Sequence, residues 1–410
     1  MKISLANYRF TFSKEKAKEL VLSLFFIFFL VFPKGGVKIQ GLPLTWGLIY
    51  FSFFSFYALS LKNLKIYQLN FSLYLLFLPF LIVSSLTILF YGYEEAAYAI
   101  SYLIHFYYIL PVFLLIIPSF CDEKMIGKIG ERLKSGVFFV ALFGLLLFFY
   151  KWKTGNFFEI PFLTVNYHDY HELESTKCID RGGVYKLIST YNNGNLYGIC
   201  ILMILPLYEH FENRRLKKMI VKTSLIFTLS RTIWLGLILS QFLSLNSLKT
   251  TKIKKAIDLL VKTIFFIGTF FLLNEFFPLS TDFIFDRFFG NRIGQFKVLD
   301  HWEWFPFQQF EEIFEIIYLG LLKSFGLVGL IVFCLAFFLA PLMVYFFRRI
   351  FQHEKSAIKQ KVAHGMMIYA CVAAADGALL LMPVLIFYFF LLFISLFPKK
   401  SLSYEHITFS

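Results

Sequence analysis

The stretch FSLYLLFLPFLIVSSLTILFY, residues 71–91, decides the fold class of this chain. It contains no charged side chain, and its length matches the roughly 20 apolar residues that a helix needs to cross the hydrocarbon of a bilayer. The whole chain has the same character: of 410 residues, 58% are hydrophobic, 21% are aromatic and only 16% are charged. An ordinary soluble domain carries about 25% charged residues. The sequence therefore predicts an integral membrane protein and excludes a soluble globular enzyme.

Similar apolar blocks recur along the chain and predict about twelve membrane-spanning helices. Besides 71–91 they are 20–33, 44–61, 97–117, 137–152, 196–211, the two halves of 219–248, 259–273, 325–347, 362–375 and 380–397. We divide the region 219–248 into two helices because Ser230, Arg231 and Thr232 interrupt it. The expected fold is all-α, a polytopic transmembrane bundle, with residues 1–410 forming a single membrane domain.

The distribution of charge supports this division and predicts the orientation of the chain. With the split at Arg231, the two termini and five of the loops lie on one side of the membrane. These segments hold 28 of the 40 Lys and Arg residues, whereas 17 of the 26 acidic residues lie on the other side or within the membrane. Because cytoplasmic loops are enriched in Lys and Arg, we expect both termini to be cytoplasmic and Arg231 to lie near the opposite, outer face. The basic excess is thus explained by topology, and no nucleic-acid partner is expected.

Two segments predicted on the outer face are too long to be simple connectors. Residues 153–195 form the first outer loop, and residues 274–323 form the main outer loop, which is expected to contain short helices. Both are rich in polar and aromatic side chains, a composition that is not typical of disorder, and long ordered loops in compact proteins are usually functional. We therefore expect the active site on this face.

Four short motifs, in order along the second half of the chain, carry a resemblance to a known family. They are Tyr191-Asn192-Asn193-Gly194-Asn195 before an apolar helix, Leu229-Ser230-Arg231-Thr232, Arg292-Ile293-Gly294-Gln295-Phe296, and Tyr318-Leu319-Gly320-Leu321-Leu322 followed by Gly326-Leu327-Val328-Gly329. Their order, spacing and predicted common location resemble the O-antigen polymerase and ligase family, which are membrane glycosyltransferases of the GT-C type. The resemblance covers about residues 181–398.

The resemblance implies a substrate and a place of reaction. The donor would be a glycan carried on undecaprenyl diphosphate, the acceptor a second glycan, and the active site would face the periplasm from the bacterial inner membrane. A chain-length regulator protein is a candidate partner. The leaving lipid diphosphate gains negative charge, so fixed cations beside it lower the barrier. Arg231 and Arg292 match the motifs, and a guanidinium binds phosphate through two parallel hydrogen bonds. A snorkelling anchor is the structural alternative for Arg231.

The acceptor hydroxyl needs a group that receives its proton, and the candidates are Glu315 and His301. In the ligases a His usually lies three residues before the motif Tyr, but here that position is Glu315. This departure weakens the ligase interpretation. We expect Glu315 to be partly desolvated, with its neighbours Ile316, Ile317 and Leu319 buried. The structural alternative is a solvated acidic face shared with Glu311 and Glu312.

Further substrate-binding candidates are Asn195, Tyr318, Arg287, Trp302 and Trp304. Three of them have a structural alternative: Arg287 lies beside acidic residues that it can pair with, and the two Trp residues suit an interfacial aromatic belt as well as sugar stacking. Asp376, followed by Gly377, is suited to cap a helix. The five cysteines and the carboxylates show no metal-ligand spacing, so we expect no metal and no cofactor.

Three functions compete at this point. The leading hypothesis is a polymerase that joins lipid-linked oligosaccharide repeat units into O-antigen or a related surface polysaccharide. The nearest alternative is an O-antigen ligase that transfers the finished glycan to lipid A-core. The third is a transporter or flippase of lipid-linked substrate, which should show related halves with interrupted helices at corresponding positions. Here the polar residues concentrate on one face and in the second half of the chain, which favours the enzyme.

Overall fold

The computed structural model describes residues 14–39, 42–60, 66–120, 123–173, 185–247, 264, 268, 292–306, 308–311, 313, 315–350, 356–397 and 406–407. This part of the chain is mainly helical. In chain order the helices are α1 (Lys14–Phe26), α2 (Trp46–Ser60), α3 (Gln68–Tyr91), α4 (Ala96–Leu103), α5 (Glu123–Thr154), α6 (Gly194–Phe211), α7 (Arg215–Ile226), α8 (Arg231–Ser247), α9 (Ile317–Phe333), α10 (Ala340–Ile350), α11 (Ala357–Val372) and α12 (Met382–Leu396).

Several of these helices continue through wider π-helical turns. Such turns follow α1 at Ile27–Val31, follow α4 at Ile104–Ile109 and Val112–Ile116, and join α9 to α10 at Cys334–Leu339. Counted through such turns, four helices of the described chain are long and apolar enough to cross a membrane: Gln68–Tyr91, Ala96–Ser119, Met125–Thr154 and Ile317–Ile350. Trp46–Leu59 and Met382–Leu396 are shorter apolar helices. The prediction of a bundle of apolar helices is confirmed, and four of these helices have the length and composition to span a membrane.

Strands contribute little to the part of the chain that the structure describes. β1 (Gly36–Ile39) pairs antiparallel with β2 (Leu42–Thr45), and β3 (Ile66–Tyr67) pairs with β4 (His406–Ile407). The first hairpin was not expected from the sequence. The hairpin contacts the segment that follows α5, because Lys38 pairs with Asp169. The indole of Trp46, the first residue of α2, donates to the Phe162 carbonyl of the same segment at 2.5 Å.

The core of the bundle lies around α6 and α12. Every residue of α12 from Pro383 to Leu396 is buried, and α6 is buried from Leu196 to Tyr208. α11 packs closely on α6, since a Cβ at Gly365 would lie 2.1 Å from the Met203 carbonyl oxygen. The peripheral helices instead expose large apolar side chains, such as Phe53, Leu89 and Phe90, each more than 70% exposed. Such a surface is stable only against lipid or another apolar partner.

The predicted break at Arg231 is confirmed as a break between two helices. α7 ends at Ile226 and α8 begins at Arg231, and the turn between them includes Leu229 in the left-handed region at φ 50°. The indole of Trp234, one turn into α8, donates to the Ile226 carbonyl at 2.9 Å and fixes the two helices against each other. The later block 259–273 lies outside the described residues, apart from positions 264 and 268.

Candidate functional site

Four polar side chains from four distant segments meet at one end of the bundle. They are Asn195 at the start of α6, Arg292 in the 3₁₀ helix Arg292–Asp300, Glu315 before α9, and Asp376 in the turn between α11 and α12. We call this group the Arg292–Asp376 cluster. Its members are brought together only by the packing of α6, α9, α11 and α12.

Arg292 joins the two carboxylates of the cluster. Its Nε donates to Glu315 at 2.5 Å, and its Nη2 donates to Oδ2 of Asp376 at 3.0 Å. The same Asp376 oxygen accepts from Nδ2 of Asn195 at 2.5 Å. Because one planar guanidinium makes both ion pairs, the positions of both carboxylates are tied to the orientation of Arg292.

The two carboxylates differ sharply in their exposure to solvent. The Asp376 side chain is 6% exposed, whereas that of Glu315 is 54% exposed. Glu315 is therefore open to a ligand arriving from solvent, while a little under half of its side-chain surface is covered. Its apolar neighbours Ile316, Ile317 and Leu319 are buried as predicted.

Asp376 carries a perturbed carboxyl group. Burial raises its pKa from the ordinary value of 3.8 to about 6. The positive charge of Arg292 acts in the opposite direction, and so do Lys186 and the hydrogen bond from Asn195, while the negative charge of Glu315 adds to the increase. Carboxyl groups whose pKa is shifted by burial beside a charged partner cluster at functional sites.

The backbone around the cluster forms a rigid frame. The Gly377 amide donates to the Glu315 carbonyl at 2.9 Å, and the Ile317 amide donates to the Ala373 carbonyl at 3.1 Å. A Cβ at Gly377 would lie 2.0 Å from Cδ1 of Ile317, so only glycine permits this close approach. Asp376 does not cap α12, whose N-cap residue is Leu381. Instead, the Asp376 carboxylate accepts a hydrogen bond from Arg292.

The sequence motif at 191–195 has a clear local explanation. Asn192 adopts the left-handed conformation at φ 58°, which Asn tolerates well, and the Asn193 side chain caps α6 by accepting from the amides of Asn195 and Leu196. Asn195 is thereby held in the first turn of the helix and aimed at Asp376. Its Oδ1 is buried and has no hydrogen-bond partner among the described residues.

Arg231 lies at the same end of the bundle. The Phe227 carbonyl accepts from the Leu187 amide at 3.0 Å, and a Cβ at Gly194 would lie 3.3 Å from the Thr228 carbonyl oxygen. The α7–α8 turn is therefore packed against the start of α6, where Asn195 lies. The Arg231 side chain is half-buried as the first residue of α8.

The remaining predicted residues fall outside the cluster. The Tyr318 hydroxyl donates to the Ala370 carbonyl at 2.6 Å and so links α9 to α11, a structural contact. His301 and Trp302 line a separate cavity, and the exposed Trp304 packs edge-on against Trp302. Arg287 lies outside the described residues.

Sequence reasoning missed the central role of Asp376 and the contributions of Lys186 and Gln295. Oε1 of Gln295 accepts from the Ile316 amide at 3.2 Å and so joins the 3₁₀ helix to the start of α9. The available signal was the isolation of Asp376 between two apolar segments, since a lone carboxylate in such a place needs a partner. Comparisons with protein-family models, with curated proteins and with solved structures found no match to this chain.

Proposed function

We propose that this chain is a membrane glycosyltransferase that joins lipid-diphosphate-linked oligosaccharide units into a surface polysaccharide such as O-antigen. The observation that carries the proposal is the Arg292–Asp376 cluster: a guanidinium held by two carboxylates, one buried and one exposed, at the end of an apolar helical bundle. The motif resemblance supplies the substrate class, and the structure adds a physical reason for the arginine and the carboxylates to act together.

The proposed placement is the bacterial inner membrane, with about twelve spans, both termini cytoplasmic and the cluster at the periplasmic face. The charge distribution and the four long apolar helices support it. Cysteines introduced at His168, Ile253 and Glu303 test it by labelling with a reagent that does not cross the membrane. Labelling at positions 168 and 303 but not at 253 is expected. Labelling of 253 from outside would contradict this topology.

In the proposed reaction the acceptor hydroxyl oxygen attacks the anomeric carbon of the donor sugar. A new glycosidic carbon–oxygen bond forms, the bond between that carbon and the phosphate oxygen breaks, and the lipid diphosphate leaves with the electron pair. Arg292, with Arg231 from the neighbouring turn, neutralises the charge that develops on the diphosphate. The hydroxyl proton passes to Glu315, which is the solvent-exposed carboxylate of the cluster.

Asp376 is assigned the task of positioning. Its ionised form attracts Nη2 of Arg292 and fixes the plane of the guanidinium, which also holds Glu315. Asn195 in turn holds Asp376 through the shared oxygen. The guanidinium therefore needs little reorganisation when the diphosphate arrives, which is the condition under which electrostatic stabilisation is most effective.

Deletion of the gene followed by gel analysis of the surface polysaccharide tests the proposal. A polymerase predicts that the deletion strain carries a single repeat unit in place of long chains. Bare lipid A-core with lipid-linked polymer accumulating would instead indicate a ligase. An unchanged polysaccharide would contradict both.

A further inference from the structure

A cavity of about 510 Å³ opens beside the 3₁₀ helix, and no member of the Arg292–Asp376 cluster lines it. We call it the Trp302 cavity. The residues of the 3₁₀ helix that line it are Gly294, Lys297 and Val298, and the following loop adds His301, Trp302 and Glu303. α9 closes it with Leu322, Lys323 and Gly326. Its volume is within the range of about 300–1,000 Å³ that is usual for small-ligand sites.

The lining combines an exposed aromatic face with polar groups. The Trp302 side chain is 47% exposed, and its ring meets that of Trp304 edge-on, with centroids 5.9 Å apart. Lys297, His301 and Glu303 are exposed around it, and the described part of the chain shows no ion pair for any of these three. The Trp302 indole offers an apolar face, Lys297 and His301 offer hydrogen-bond donors, and Glu303 offers a carboxylate acceptor. Together these groups suit a ring such as a pyranose, whose faces are apolar and whose edge carries hydroxyl groups.

The walls of the cavity are rigid, which favours a preformed site. Gly326 breaks the helical path of α9 at φ 66°, and the loop carbonyls of Glu303 and Trp304 accept from the amides of Leu327 and Val328 at 2.9 and 3.1 Å. A Cβ at Gly326 would lie 2.6 Å from the Trp304 carbonyl oxygen. The Gln308 side chain also donates to the Lys323 carbonyl at 2.7 Å. The loop that carries Trp302 is thus fixed to α9 at several points.

The cavity and the Arg292–Asp376 cluster share one structural element. Arg292 begins the 3₁₀ helix and contacts Asp376, whereas Lys297 lies five positions further along and lines the cavity. At a rise of about 2 Å per residue, these two positions are about 10 Å apart. A short oligosaccharide bound with its reacting end at Arg292 would therefore reach the cavity with a ring further along its chain.

We propose that the Trp302 cavity is a sugar-binding subsite that holds a pyranose ring of the glycan at a distance from the bond being made, a proposal that rests on the proposed function. The ring stacks on the Trp302 indole, its hydroxyls donate to Glu303, and Lys297 donates to its oxygens. The polar groups of the lining disfavour a lipid chain in this position.

The test uses purified full-length protein in detergent and soluble oligosaccharides released by mild acid from the surface polysaccharide of the host cell. These probes carry neither diphosphate nor lipid, so their binding reports a sugar subsite alone. Binding is measured by saturation-transfer NMR, with empty micelles as the blank. Trp302→Ala is expected to weaken binding about tenfold. The control Trp152→Ala removes an indole that is 55% exposed but lies outside the cavity, and it should leave binding unchanged.

A second variant protects the test against misfolding of Trp302→Ala. Gly294 lines the cavity, and a Cβ there meets no atom within 4 Å, so Gly294→Phe should fold and add a ring at the cavity wall without removing any contact. It is expected to weaken binding as Trp302→Ala does. Failure of the oligosaccharides to bind the wild type, or unchanged binding in both variants, would overturn the subsite.

The ring in the cavity belongs either to the donor glycan or to the acceptor glycan, and steady-state kinetics distinguishes the two cases. With lipid-linked units as donor and free oligosaccharide as acceptor, Trp302→Ala should raise the KM of whichever substrate places its ring in the cavity. The two proposals also fail separately. An unchanged polysaccharide in the deletion strain would refute the polymerase, while Trp302-dependent binding of oligosaccharide would still establish the subsite.

Discussion

Replacing Asp376 by Asn is expected to stabilise the folded protein at pH 7 while lowering its activity. Asn has nearly the same shape as Asp and, like a protonated carboxyl, carries no charge. In the folded state the pKa of Asp376 is about 6, against an ordinary value of 3.8. At 1.36 kcal/mol for each pH unit, keeping this buried carboxylate ionised costs the folded protein about 3 kcal/mol. The substitution removes that cost.

The size of the stabilisation depends on pH in a way that identifies its cause. Because the folded-state pKa is raised, the wild type loses stability as pH rises from the ordinary value of 3.8 through about 6. The Asn variant has no such loss. The difference between the two proteins should therefore vanish below pH 3.8 and reach its full size above about pH 6.

The measurement is thermal unfolding in detergent on both sides of pH 6, with the rate of glycan extension measured on the same preparations. The control Glu131→Gln removes a carboxylate that is 67% exposed and pairs with Lys134 on α5, and it should change stability by less than about 1 kcal/mol. A lower unfolding temperature for Asp376→Asn at pH 7, with no dependence on pH, would refute the reasoning and make Asp376 an ordinary structural ion-pair partner.

Four further predictions follow from the same contacts. Arg292→Lys and Arg231→Lys should reach the membrane in normal amounts but extend glycan about 100-fold more slowly, because a lysine ammonium lacks the planar, two-pronged geometry of a guanidinium. Arg349→Lys is the control. Normal glycan chain lengths in both the Arg292 and the Arg231 variants would show that these arginines are only anchors. The extension rate of the wild type should rise as pH passes through about 6, where Asp376 ionises and orients Arg292, and this rise should be missing from the residual activity of Asp376→Asn. Glu315→Gln should abolish extension, whereas Glu94→Gln, an exposed carboxylate on the neighbouring loop, should not; equal rates would remove Glu315 from the reaction. Gly377→Ala should destabilise the protein by about 1–3 kcal/mol because its Cβ would meet Ile317, while Gly127→Ala, in open space on α5, should be neutral or stabilising, as calorimetry can show.

The helices could be predicted closely from the sequence. The blocks 44–61, 71–91, 97–117 and 196–211 coincide with α2, α3, the α4 segment and α6 to within a few residues. Such agreement is expected because a long apolar block is a local signal that needs no knowledge of its neighbours. The break before Arg231 was also visible, since a charged residue between two polar ones interrupts the apolar run. The β1–β2 hairpin was not, because its four-residue strands carry no distinct periodicity.

The sequence by itself thus determined an apolar helical chain, the helix break at Arg231, and the motifs that contain Asn195, Arg292 and Glu315. Only the tertiary structure decided that Asn195 and Arg292 share Asp376, which lies 181 positions from Asn195 and 84 from Arg292, and that Arg292 also holds Glu315. It also decided which carboxylate is buried and which is exposed, and that Trp302 lines a cavity while Tyr318 links two helices. The physical reason is that burial and ion pairing depend on contacts between α6, α9 and the α11–α12 turn, and these contacts form only when the helices pack.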